Sequence, residues 1–283
     1  MFEVIFLFVL ALVWIVFATI QDLKTREIAN WLNFSLIIFA LCFRLFYSLF
    51  SAGDFNFFYQ GLIGLGIFFV LGNILYHGRM FAGGDAKLLI ALGAVLPIAG
   101  SFYENLEVFS FFLVIFLFAG AVWSLGATAF IASKNLVKFK KEFRKQLKVY
   151  KKAIIGVILL DILLLITLVF FNNYSSLLLL LAILIFISPY LVVYAKAVDE
   201  SSMVKKLETR KLREGDWLYR DVKVKGKIIK AKWDGLSKEE ISFLRKNLRI
   251  VLIREGVPFT PVFLLSFLVF FYLWQKGLWY SFW

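Results

Sequence analysis

FEVIFLFVLALVWIVFATI, residues 2–20, contains one carboxylate, Glu3, and no basic residue. As a helix it rises about 28 Å, close to the roughly 30 Å of a bilayer's hydrocarbon core. It has no basic leading region and no A-x-A cleavage site, so it reads as a retained helix rather than a signal peptide. Working outward, residues 31–51, 57–77, 107–133, 153–171 and 176–196 meet or approach the same length, and 86–100 and 260–275 are shorter apolar runs. Such runs are too long for barrel strands, so the backbone must satisfy itself as helix. The expected fold is an all-α polytopic membrane protein of about eight transmembrane helices, with a small basic cytoplasmic insertion before the last one.

Composition agrees. Of 283 residues, 61% are hydrophobic and 18% charged, with a mean hydropathy of +0.84. Soluble domains have about 45–50% apolar and about 25% charged residues, so a soluble enzyme and a disordered chain are both excluded. A single cysteine, Cys42, excludes a disulfide framework and a multi-cysteine zinc site. The single histidine, His77, cannot build a His-rich one. No metal and no cofactor are expected.

The net charge of +13 must then sit outside the bilayer. It divides sharply. Residues 134–152 carry nine Lys/Arg against Glu142 alone, and residues 197–257 carry 16 Lys/Arg and ten Asp/Glu, which leaves the rest of the chain at −1. The positive-inside rule places both stretches in the cytoplasm. Eight helices then put Lys24, Arg26, Arg79 and Lys87 on the same side, with both termini outside. Trp274, Trp279, Tyr280 and Trp283 read as an aromatic belt at the outer interface. The expected organisation is a membrane domain over 1–133, a basic loop over 134–152, two helices over 153–196, a basic module over 197–257, and a last helix with an outer tail over 258–283. Within the module, VKVKGKIIKAKWDG alternates at period two and predicts a hairpin, while Ser237 and Glu240 predict a capping box opening a helix. Topology explains the charge without nucleic acid, so the expected partner of these basic stretches is anionic lipid.

Few carboxylates are left for chemistry. Asp22 falls just past the cytoplasmic end of the first helix, and Asp85 opens the fourth after Gly83-Gly84. The two helices run in opposite senses, so these ends share one side of the membrane whatever the absolute orientation. Two neighbouring carboxyls cannot both ionise easily; one retains a proton, as amide hydrolysis by an aspartic pair requires. Residue chemistry alone leaves another reading open, with Asp85 a helix cap and Asp22 a solvated loop residue. Asp161, inside an apolar run, is a functional suspect on cost alone, although a structural carboxyl is the simpler reading. Arg44 is expected to snorkel outward. Glycines 61, 64, 66 and 72 are expected to permit close helix packing.

The motif Asp22-Leu-Lys-Thr-Arg-Glu-Ile-Ala-Asn30, together with Gly83-Gly84-Asp85-Ala86-Lys87-Leu88-Leu89, resembles the prepilin peptidases. These are membrane aspartic proteases of the GxGD type, and the similarity is greatest to their archaeal preflagellin/prepilin branch. Ala82 stands where that pattern has its first glycine, and Ala29 where many members have proline. The resemblance covers roughly residues 1–130, with a weaker likeness in Glu255-Gly256-Val257-Pro258-Phe259-Thr260-Pro261. It implies an endopeptidase that cuts charged leaders from pilin-like or flagellin-like precursors at the cytoplasmic face. It further implies Asp22 and Asp85 as the catalytic pair, supported by Gly83, Gly84 and Lys87. With no glycine-rich nucleotide loop, proteolysis without methylation is expected. Gln21, where intramembrane-cutting GxGD proteases have tyrosine, argues against that class. A non-proteolytic transporter or assembly scaffold, using the aspartates for ions or packing, is the alternative.

Overall fold

The computed structural model describes residues 2–52, 54–170 and 175–278. Residues 172–174 of the expected outer loop NNYSS and three of the belt aromatics, Trp279, Tyr280 and Trp283, lie outside these. The chain divides into two compact units, residues 1–125 with 257–283, and residues 126–256.

The first unit contains α1 (Phe2–Thr25), α2 (Asn30–Tyr47) with a π-helical turn at Ser48–Ala52, α3 (Asn56–His77), α4 (Gly83–Gly93), the first part of α5 (Phe102–Ser133) and α10 (Thr260–Gln275). Among the described residues, five helices are long and apolar enough to cross a bilayer: Phe2–Thr25, Asn30–Phe50, Asn56–His77, Phe102–Ser133 and Leu178–Met203. The protein is a mostly helical, multi-pass membrane protein. The helices of the first unit surround a core of Leu7, Phe8, Ile15, Leu36, Phe68, Leu89, Phe112, Phe263 and Phe267. Phe8 meets the rings of Phe267, Phe270 and Phe271, which fastens α10 along α1.

The fourth apolar run departs from expectation. Helix α4 stops at Gly93, and residues 94–101 form an irregular turn. Eleven helical residues rise only about 16 Å, half a bilayer. Arg44 explains how the turn is tolerated. It does not snorkel outward; it is fully buried. Its Nε donates to Ala94 O at 2.8 Å, and its Nη2 donates to Val95 O at 3.0 Å and to Pro97 O. Its Nη1 donates to Phe57 O at 2.8 Å, while the guanidinium lies 4.3 Å from the Phe57 ring centre. The buried carbonyls that a continuing helix would have satisfied internally are met by a cation instead. Asn105 completes the turn, accepting from Ala99 N and donating to Ala99 O, both at 3.0 Å. Packing here requires glycine, because a Cβ on Gly64 would lie 2.4 Å from Gly93 O. Gly61 and Gly72 also face close neighbours, whereas Gly66 meets open space.

The second unit contains the end of α5, then α6 (Leu136–Val149), α7 (Lys151–Phe170) and α8 (Ser175–Val198), followed by a small α+β module. The basic stretch 134–152 is therefore mainly helix rather than loop. Asn135 caps it, accepting from Lys138 N, and Phe139 packs against Phe143 and Tyr194. Sheet structure in the module departs from a purely α fold. Strands β1 (Val204–Glu208), β5 (Ile250–Arg254) and β2 (Trp217–Leu218) form an antiparallel sheet in the order β1-β5-β2. The predicted hairpin is present as β3 (Val222–Val224) and β4 (Lys227–Ile229), turning on Lys225 and Gly226, both at positive φ. Helix α9 (Lys238–Asn247) opens with the predicted capping box, Ser237 accepting from Glu240 N and Glu240 from Ser237 N. Leu212, Leu218, Ile229, Leu236, Ile241, Leu244, Val251 and Ile253 give the module its own core.

Candidate active site

The site begins with the way α1 ends. Arg26 adopts φ 63° and its N–H donates to Asp22 O, a left-handed stop made without glycine. Asp22 is consequently not past the helix but in its last turn, and it is 7% exposed. The chain reverses through Ile28 and enters α2 at Asn30. Ala29 holds φ −64°, an angle proline would share, but its N–H donates to Gln21 Oε1 at 2.9 Å. This departure from the family pattern therefore keeps the backbone conformation and adds a hydrogen bond back to α1.

Asp85 enters from α4, whose N-cap is Ala82. No side chain caps this helix, so the reading of Asp85 as a plain cap does not hold. Ala82 lies at φ −69° and ψ 157°, a conformation open to any residue, so its place in the GxGD pattern carries no backbone strain. Gly84 is different. A Cβ there would come within 3.3–3.4 Å of three Ile28 side-chain atoms, tighter than comfortable contact. A Cβ on Gly83 would meet the Tyr76 ring at an ordinary 3.6 Å.

The two motifs interlock residue by residue. Ile28 packs over Gly84, and Lys87 Nζ donates to Asn30 Oδ1 at 2.7 Å across 57 positions. Lys87 is thus committed to the first motif rather than left to snorkel among headgroups. The aspartates themselves interact. Burial, and then the negative charge of Asp22, push the Asp85 carboxyl up to about 7. On the far side of Asp22, Thr260 at the start of α10 donates to Oδ2 through its hydroxyl and through its N–H at 3.2 Å. Sequence reasoning did not name Thr260 as a site residue; the available signal was the weaker family likeness of the Glu255–Pro261 segment that contains it. Among the described residues, no cluster of three or more His, Cys, Asp or Glu could hold a metal ion.

Asp22 and Asp85 both fall inside the one stretch that is similar to a known family. Residues 9–125 match the type IV leader peptidase family. The chain is 27% identical over 156 residues to the preflagellin peptidase of Methanococcus voltae, covering 53% of this chain and 65% of that one. It is 33% identical over 90 residues to the preflagellin peptidase of Methanocaldococcus jannaschii, and 30% identical over 90 residues to that of Methanococcus maripaludis. Each of these two alignments covers 32% of this chain and 38% of the relative. The chain thus spans less than two thirds of the curated relatives it matches. No solved structure matches it. The likeness drawn from the two aspartate motifs is borne out, whereas Thr260 lies outside the residues matched to the family.

Proposed function

We propose that this protein is an aspartic endopeptidase of the leader-peptidase type, with Asp22 and Asp85 as its catalytic pair. The carrying observation is the interlock of the two aspartate motifs, Ile28 over Gly84 and Lys87 on Asn30, with burial and then the charge of Asp22 pushing the Asp85 carboxyl up to about 7. One member of the pair then bears a proton near neutrality while the other bears the charge. Asp22, as the anion, takes a proton from a water whose oxygen bonds to the scissile carbonyl carbon. Asp85 gives its proton to the carbonyl oxygen. In the collapse of the tetrahedral diol, the C–N bond breaks, the amine leaves with the proton held by Asp22, and Asp85 recovers one from a diol hydroxyl. Water is consumed and both carboxyls return to their starting states, so no cofactor or metal takes part. Lys87 and Asn30 hold the two loops in register, and Gly83 and Gly84 let them approach.

The relatives named as preflagellin peptidases support preflagellin-like precursors as the substrate class, and the motif resemblance implies a short charged leader before a hydrophobic segment. The positive-inside distribution of charge supports eight crossings, both termini outside, and a pair facing the cytoplasm. The basic stretches are proposed to lie against anionic lipid. The deciding experiment incubates the purified protein in lipid with a leader peptide of pilin type, and maps products by mass spectrometry. A cut between leader and hydrophobic segment, lost in Asp22→Asn and in Asp85→Asn, is the expected result. Undiminished cleavage in either variant rejects the pair, and no cleavage by the unaltered protein favours a transporter or scaffold.

A further inference from the structure

Asp22 is joined to a residue 238 positions away, outside the stretch that carries both aspartate motifs. Thr260 is the first residue of α10, where backbone N–H groups have no partner within the helix. Its N–H and its hydroxyl both reach the same carboxylate oxygen, Asp22 Oδ2. Pro261 follows, presetting the first turn for helix and donating nothing that could compete. The turn before it is fixed from three directions. Trp123 Nε1 donates to Pro258 O at 2.9 Å, and the Phe259 ring packs against Phe81 at 5.3 Å and Phe116 at 5.9 Å between centres. Phe81 immediately precedes the Ala82-Gly83-Gly84-Asp85 run, so one aromatic contact ties the start of α10 to the loop bearing the other aspartate. Thr260 itself is wholly buried.

We infer that Thr260 is a positioning residue of the catalytic pair: it occupies Asp22 Oδ2 with two donors and leaves Oδ1 as the oxygen that takes the proton from water. The role of base falls to the carboxyl that the donors hold in place, and the role of acid to its partner. The general base is thereby Asp22 and the general acid Asp85, an assignment the sequence leaves open. This inference rests on the proposed proteolytic pair.

Thr260→Val and Thr260→Ser separate a donor from a filler. Valine keeps the shape and the backbone N–H but loses the hydroxyl, whereas serine keeps the hydroxyl and loses a methyl. With the purified protein in lipid and the pilin-type leader peptide, Thr260→Val is expected to lower kcat roughly 10–100-fold with KM unchanged, the scale of one lost hydrogen bond to a charged group. Thr260→Ser is expected to stay within about threefold of the unaltered protein. The reverse order, with valine active and serine impaired, makes Thr260 a packing residue and overturns the inference, as does full activity in both. If Thr260→Val unfolds in a thermal melt, the inference stands or falls on Thr260→Ser together with Thr260→Ala: equal losses in the two overturn it, and loss only in alanine supports it. The pair has its own control, since Asp22→Asn must be inactive. An active Asp22→Asn defeats the catalytic pair on which the inference rests, whereas an inactive Asp22→Asn beside a fully active Thr260→Val defeats only the role of Thr260.

Discussion

Asp22 in the first unit and Asp161 in the second are buried to the same depth, each 7% exposed. Their surroundings differ. Asp22 accepts two hydrogen bonds from Thr260 and acts on a second carboxyl. Asp161, in the middle of α7, has no hydrogen-bond partner for its buried Oδ1 among the described residues. An unmet polar atom costs about 1–3 kcal/mol, and a mid-membrane carboxyl is costly wherever it is placed. Depth alone therefore does not single out the proposed catalytic carboxylate. What separates the two is the company of donors and of a second titratable group, and that company can be removed piece by piece.

The largest expected effect comes from neutralising the pair. Asp22→Asn or Asp85→Asn should lower leader-peptide cleavage by roughly 10²–10⁴-fold, the contribution of a positioned acid or base, while the protein still inserts into the membrane. Residual activity near the unaltered level in Asp22→Asn would erase the distinction from Asp161. Next comes pH. The Asp85 carboxyl lies at about 7, above its ordinary value, so it is protonated below that pH and ionised above it. Cleavage should therefore decline as pH rises through about 7, and a rate–pH profile flat from about 6 to 9 removes Asp85 as the acid. A smaller loss, about tenfold, is expected for Lys87→Met, which breaks the bond to Asn30 but touches neither carboxyl. Its measured kcat should fall in parallel with that of Asn30→Ala. The smallest effect belongs to Asp161→Asn, which should cleave at the unaltered rate. A loss of cleavage there would mean that the second unit takes part in the chemistry.

Much of this was legible in the sequence because it is local. Apolar length marks helices without knowledge of their neighbours, and the Ser237–Glu240 box and the Lys225-Gly226 turn are each decided within a few residues. The two aspartates were readable for the same reason, each lying in a short motif at a helix end. The illegible parts are contacts between distant positions. Gly93 and Pro97 are local stop signals for α4, but nothing near them says that the carbonyls beyond are satisfied by Arg44, about 50 positions earlier. Nothing in 197–257 announces that β5 will lie between β1 and β2, since each strand there is short and its partners lie far along the chain. Thr260 is the extreme case: its segment carries a weak likeness in the sequence, but only the fold sets it beside Asp22.

The burial of Arg44 has a consequence for how the site can move. One guanidinium grips the far end of α4 by Ala94, Val95 and Pro97 and reaches α3 through Phe57. Lys87 fastens the near end to α2 through Asn30. With both ends held, α4 behaves as a fixed strut, and Asp85 has little freedom to slide along the helix axis.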